Sequence, residues 1–219
     1  MWFEETEDAY IDNLYIDVSD RNSRDLLNDS SLLEIFNGNT IVNNIKLISS
    51  KNNIFKKAIR SAFSAKSSFK ITGQCEIIGG FSEKGIELAS MIQNTNFNCE
   101  IEKTKCVDSE ILFYGVKNIK LNNCEFGKLQ IENLDNGISI GDIIISKTIL
   151  NEFFLNTKAD KLFVIDAIVK DNFEINNDTN KTSVKGSSMG RFYTLPNKIN
   201  NEVIFSDSSF KDVRIGGKT

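Results

Sequence analysis

Apolar and small residues recur along this chain in pairs separated by one position, and the pairs recur at a step of five. In "NCEFGKLQIEN" (123–133) they are Cys124/Phe126 and Leu129/Ile131. A step of five matches neither a helix, with its period of about 3.6, nor a strand, with its period of two. From Cys99 the register runs unbroken through Cys99/Ile101, Thr104/Cys106, Ser109/Ile111, Tyr114/Val116, Ile119/Leu121, Cys124/Phe126 and Leu129/Ile131. It slips by one and resumes at Ile138/Ile140, Ile143/Ile145, Thr148/Leu150 and Phe153/Leu155. A second slip leads to Leu162/Val164 and Ala167/Val169, and the step returns at Val203/Phe205, Ser208/Phe210 and Val213/Ile215. Between the pairs stand mostly Lys, Glu, Asp, Asn, Gly and Ser.

A pair at n and n+2 is the inward face of a very short strand. Two polar residues then turn a corner. Repetition winds the chain into a coil, and each coil stacks on the last by parallel pairing about 4.8 Å apart. A longer period lies on top. Cys75, Cys99, Cys124 and Thr148 follow one another at intervals of 24, 25 and 24, and the slips at 132–137 and 156–161 are also 24 apart. The pattern predicts an all-β solenoid of five or six coils, each about 24 long, with one longer corner.

Four stretches depart from the step. "AYIDNLYIDV" (9–18) alternates as a strand. The stretch 22–36 and "KNNIFKKAIRSAFSAK" (51–66) read as short helices; in the second, Ile54, Phe55, Ala58, Ile59, Ala62 and Phe63 share a helical face. Residues 1–70 are therefore expected to form a strand-and-helix cap, and 71–219 the solenoid. The polar stretch 172–202 holds the only proline, Pro196, and predicts a loop inserted before the last coil. Its "KGSSMGR" (185–191) lacks the spacing of a phosphate loop.

Cys99, Thr104, Ser109, Cys124, Thr148, Ala167 and Ser208 at the small position, and Leu121, Phe126, Leu150 and Phe210 at the central position two further on in the repeat, give the chain its resemblance to the pentapeptide-repeat proteins. The resemblance covers 99–170 and 203–215. It implies a right-handed parallel β-helix, here with short N-terminal helical segments, and a protein that usually has no enzymatic activity. The coil of 24 is wider than the family's 20. A wider β-helix of the kind that acts on polysaccharides remains an alternative.

Chemistry narrows the choice only a little. The chain has no histidine, which removes the commonest general base and transition-metal ligand. Four cysteines, none in a CxxC, read as free buried thiols. No cofactor, metal site or catalytic residue is predicted. Asp142 and Asp166, 24 apart, are the one carboxylate pair that the longer period would stack on one face.

Net charge is −4, with no run apolar enough to span a membrane and no secretory leader, so a cytoplasmic protein is expected. The abundance of Asn, Ile and Lys suits an AT-rich bacterial or phage genome. Residues 1–35 carry ten acidic and two basic side chains, and 44–70 carry seven basic and none acidic. This makes Lys56, Lys57 and Arg60 the candidate partner-binding residues.

From Glu100 to Arg214 there are 17 acidic and 15 basic residues. That balance argues against nucleic acid as a partner and against the duplex-DNA mimicry by which some pentapeptide-repeat proteins engage topoisomerases. The expectation is a binding or scaffold protein that acts on another protein, with homo-oligomers compatible with it.

Overall fold

The computed structural model describes residues 2–3, 8–20, 31–36, 38–49, 55–63, 67–81, 83–90, 97–133, 139–195 and 202–216. Strands account for about three quarters of the described chain, and no helix occurs among the described residues. All belong to one sheet of 20 strands, in which each strand pairs in parallel with one a full coil further on. This is a solenoid-like, all-β parallel fold.

Each coil presents three paired walls. On the first wall, Ile11, Val42, Ile71, Ile101, Leu121, Ile145, Val164, Val184 and Phe205 stand in one inward column, which defines nine described rungs. On the second, Cys106, Phe126, Leu150, Val169, Met189 and Phe210 stack in the same way. The third stacks Leu33, Ile59, Ile86, Ile111, Leu129, Phe153, Phe173, Phe192 and Val213. All but the last rung of these columns is buried in a single continuous core. The five-residue pairs are thus walls, with their apolar members inward.

The coil length is not uniform. Steps along the first-wall column are 31, 29 and 30 as far as Ile101, then 20 to Leu121, 24 to Ile145, and 19, 20 and 21 on the way to Phe205. The period of 24 therefore belongs to one coil, and there are nine described rungs where the sequence pattern predicts five or six. Cys75, Thr104, Cys124 and Thr148 do share a column at the start of the second wall, but Cys99 lies on the first wall, so its place in the series of 24 is coincidental.

The predicted helices are strands where they are described. Ser31–Phe36 and Lys57–Phe63 pair with each other, and the latter also pairs with Lys84–Ser90. Long-range pairing overrides the local helical pattern. Ile59 and Ser61 point inward, Ser61 Oγ donating to the Ile35 carbonyl at 3.0 Å, while Arg60 points out. Residues 22–30, 51–54 and 64–66 of those helices lie outside the described residues. The strand Ser68–Ile78 crosses the boundary expected at residue 70, so the sheet is continuous from the N-terminal strands onward.

The loop expected over 172–202 is strand through Thr194: Ile168–Ile175, Thr179–Lys185 and Ser188–Thr194 keep the wall register. Its polar residues mislead because several occupy inward positions. Thr179, Thr182, Ser187 and Thr194 are all buried. The hydroxyls satisfy themselves locally, Thr179 Oγ1 lying 3.0 Å from Thr182 Oγ1 and Ser187 Oγ donating to the Lys185 carbonyl at 2.9 Å.

Between the first and second walls the chain turns at a single left-handed residue. Asn13, Asn44, Gly73, Lys103, Asn123, Lys147, Asp166, Gly186 and Asp207 all have φ between 48° and 70°. They form one corner column, one residue to a rung. The small residue that follows the corner points inward and caps the turn. Cys124 N donates to Thr148 Oγ1 (3.4 Å), Ala167 N to Ser187 Oγ (3.1 Å) and Ser187 N to Ser208 Oγ (3.2 Å). Each hydroxyl in turn donates to the carbonyl two residues back. From Cys75 onward this column is small (Cys, Thr, Ala or Ser), whereas Leu14 and Ile45 occupy it on the first two rungs, where the coils are longer.

Candidate interaction surfaces

Outward residues on parallel walls stack as the inward ones do, about 4.8 Å apart. Like charges in such a column would repel, and along three stretches the signs alternate, although Lys57 stands beside Lys84 and Lys161 beside Lys181. Lys46 meets Glu76 at 2.9 Å and Lys105 meets Glu125 at 3.2 Å on the second wall. Lys84 and Lys128 flank Glu110 on the third, at 2.6 and 3.5 Å. On the first wall Glu100 sits between Lys70 (3.0 Å) and Lys120 (2.5 Å). Hydrogen bonds from Lys120 and Lys70 hold the Glu100 carboxyl below its usual range, and the same contact raises the Lys120 ammonium.

The first wall is the first candidate surface. Beside the Lys70–Glu100–Lys120 ladder lie Tyr10 and Ile41 toward the N-terminal end and Ile144 and Phe163 toward the C-terminal end, all in one outward column. Tyr10 is 67% exposed. Polar side chains border this column: Asn39 Nδ2 donates to Asp8 Oδ1 at 3.0 Å, and Asn118 Nδ2 to Asn98 Oδ1 at 2.7 Å. A shallow depression of about 420 Å³ lies over Lys70, Glu100, Lys120 and Ile144.

Lys56, Lys57 and Arg60 lie beside the third wall, Lys57 and Arg60 on the strand Lys57–Phe63. Their charges are already engaged. Lys56 pairs with Glu83 at 3.1 Å, Lys57 with Glu87 at 3.1 Å, and Arg60 stands 3.8 Å from Glu34. Glu83 is held below its ordinary range, chiefly by its hydrogen bond from Lys56. Asp142 and Asp166 do not stack. Asp142 is on the first wall, 3.6 Å from Lys161, and Asp166 is a corner residue.

The corner column forms the second candidate surface, and sequence reasoning missed it. Two grooves follow one another along this edge. The first, of about 680 Å³, is lined by Lys103, Lys105, Asn123, Lys147 and Ile149 among others. The second, of about 660 Å³, is lined by Asp166, Ile168, Gly186, Asp207 and four serines. Lys103, Lys147, Asp166 and Asp207 are exposed, and none makes an ion pair with a described residue. The signal lay in the residue that precedes each small one, visible only once the coil lengths are known.

The four cysteines are free and buried. Burial pushes the Cys106 thiol up to about 12 and Cys124 up to about 11, and raises Cys75 and Cys99 as well. No group of three or more metal-ligating side chains occurs among the described residues, nor a helix long and apolar enough to cross a membrane.

No protein family, curated protein or solved structure matches the chain.

Proposed function

We propose that this chain is a right-handed parallel β-helix of pentapeptide-repeat type that acts as a binding or scaffold protein, without cofactor or chemistry of its own, by presenting its first wall to a protein partner. The short coils from Ile145 onward, with steps of 19, 20 and 21, and the small residue after the corner support the family likeness. The first wall carries the functional reading. Its outward column combines the exposed Tyr10 and Ile41 and the half-buried Phe163 with the pre-ordered Lys70–Glu100–Lys120 ladder. Rigid strands hold these groups at small entropic cost, and mixed charge beside aromatics suits a protein surface better than a phosphate backbone. The Lys56, Lys57 and Arg60 group is the weaker candidate because its charges are spent within the sheet.

The test compares immobilised wild type with a Tyr10→Glu/Ile41→Glu variant for retention of proteins from a bacterial lysate. Both positions point outward, and circular dichroism checks that the variant keeps its strand signal, since its two carboxylates stand on neighbouring rungs. A protein held by wild type and lost by the variant supports the first wall. Equal retention by both overturns that assignment. No retention by either, together with cleavage of a polysaccharide from a panel, overturns the non-enzymatic reading in favour of a carbohydrate-active β-helix.

A further inference from the structure

The corner column reads Lys103, Asn123, Lys147, Asp166, Gly186, Asp207 over its last six rungs. Its charges are complementary to their own reverse. Turned end for end, the series places Asp207 against Lys103, Gly186 against Asn123 and Asp166 against Lys147. We infer that this edge is a self-association surface, on which a second copy of the chain docks antiparallel about a two-fold axis between the rungs of Lys147 and Asp166.

A two-fold axis demands self-complementarity of the whole strip, and the flanking columns meet it. With the axis perpendicular to the stack, each wall faces its own counterpart. On the second-wall side, Ile149 meets Ile168 of the other copy, Glu125 meets Ser188 and Lys105 meets Ser209. On the first-wall side, Ser146 meets Ile165, Asn122 meets Lys185 and Glu102 meets Ser206. No like charges oppose each other. The apolar residues gather at the axis, where Ile165 and Ile168 are 37% and 45% exposed. The basic groove of one copy faces the acidic groove of the other.

The backbone gives an independent reason. Asn, Asp and Gly tolerate the left-handed region, whereas a lysine there is uncommon. Lys103 (φ 49°) and Lys147 (φ 48°) are the two exceptions in the column. Both are exposed, and neither forms an ion pair with a described residue, so no ion pair within the described chain accounts for a lysine at these strained positions. A partner carboxylate does. The strip spans five rung steps, about 24 Å. That places the contact at the small end of specific interfaces, so a salt-sensitive monomer–dimer equilibrium is expected.

Sedimentation equilibrium of the full chain across the micromolar range tests this. Wild type is expected to dimerise at low salt and to dissociate as NaCl is raised. The variants Lys103→Glu/Lys147→Glu and Asp166→Lys/Asp207→Lys are each expected to stay monomeric alone, since every facing charge pair becomes like-charged. Mixed one to one, they are expected to form a heterodimer, since every pair is opposite again. Wild type that remains monomeric at all concentrations overturns the inference, as does a dimer that either double variant leaves intact. Circular dichroism checks that both variants keep the strand signal. Should one fail to fold, Ile168→Ser, an outward change at the axis, replaces it: a weakened dimer is expected, and an unchanged one overturns the inference.

Discussion

Phe153 and Phe173 stack ring on ring, their centroids 4.4 Å apart and their planes inclined by 22°. Phe192 continues the stack at 5.4 Å and 12° from Phe173. The three lie in one inward column of the third wall, and each is fully buried. Removing the middle ring leaves a cavity bounded by two rings that cannot close on each other, because the rung spacing is fixed by the backbone ladder. Phe173→Ala should therefore cost about 3–5 kcal/mol, measured by denaturant unfolding. A loss below about 1 kcal/mol would mean that the column can collapse and that the ladder is not rigid.

Phe126→Asp makes the companion test of register on the second wall. Phe126 is buried between Cys106 and Leu150 in its column. A carboxylate there has no partner, and burying it costs several kcal/mol even when it neutralises, so the variant should be severely destabilised and its strand signal weakened or lost. The neighbouring Glu125→Gln, which points outward to Lys105, should change stability by no more than about 1 kcal/mol. Equal effects at 125 and 126 would show the wall to be reversed or molten.

The walls were legible from residues such as Cys124, Phe126, Leu129 and Ile131 because apolar pairs alternate with polar corners whatever the coil length. The coil length itself was not. An insertion between walls shifts the phase without altering any pair, so a stretch such as 132–139 lengthens its coil while both flanking walls read normally. Ser61, Thr182 and Ser187 hid in the same way. They are inward residues that bury a hydroxyl by bonding it to a nearby carbonyl or hydroxyl, and a reading based on hydrophobicity takes them for solvent-facing positions. Lys57–Phe63 satisfies a helical period and a strand period at once. Only the pairing of Ile59 with Leu33 and Ile86, one coil away on either side, decides between them. The corner edge was illegible for a related reason: Lys103 and Asp207 fall on one line only after the register of every intervening coil is known.

The thiols give a rung-by-rung readout of folding. Cys124 rises from 9.0 to about 11 through burial, which alone lowers its thiolate fraction at neutral pH about a hundredfold. Steric exclusion adds to this at Cys75, Cys99 and Cys106, which are as buried or more so. The native chain at pH 8 should react with a thiol reagent at a negligible rate and release four equivalents on unfolding. Rapid release of one equivalent from the native chain would locate a coil that opens without global unfolding.

Glu100 makes stability depend on acid. Its folded pKa lies below the ordinary 4.5 because Lys120 and Lys70 donate to the carboxylate. A depressed carboxyl pKa adds stability above its unfolded value, and that contribution is lost as pH falls through the folded one. Both lysines are 40% or more exposed, so the gain is screened to about 0.5–1 kcal/mol. Glu100→Gln should lower the melting temperature at pH 7 by a few degrees, and the difference should shrink as acid protonates the wild-type carboxyl. A difference that persists at low pH would mean that Glu100 contributes by packing and not by charge.

Lys147 separates folding from association. In the left-handed region, at φ 48°, its side chain crowds the following carbonyl, a strain that glycine does not have. Lys147→Gly should therefore stabilise the monomer by about 0.5–1 kcal/mol, the relieved strain exceeding the entropy that glycine loses on folding. Lys105→Gly is the control. Lys105 stands just past the corner at Lys103, within the extended strand Thr104–Tyr114 and paired with Glu125, and glycine there should destabilise. Calorimetry at a concentration where the chain is monomeric reads both changes. A stabilised Lys147→Gly whose dimer is weakened would show a position held by association at the expense of the fold. A Lys147→Gly no more stable than wild type would show that the left-handed turn carries no strain, and would remove one of the two reasons for placing the partner's carboxylate there.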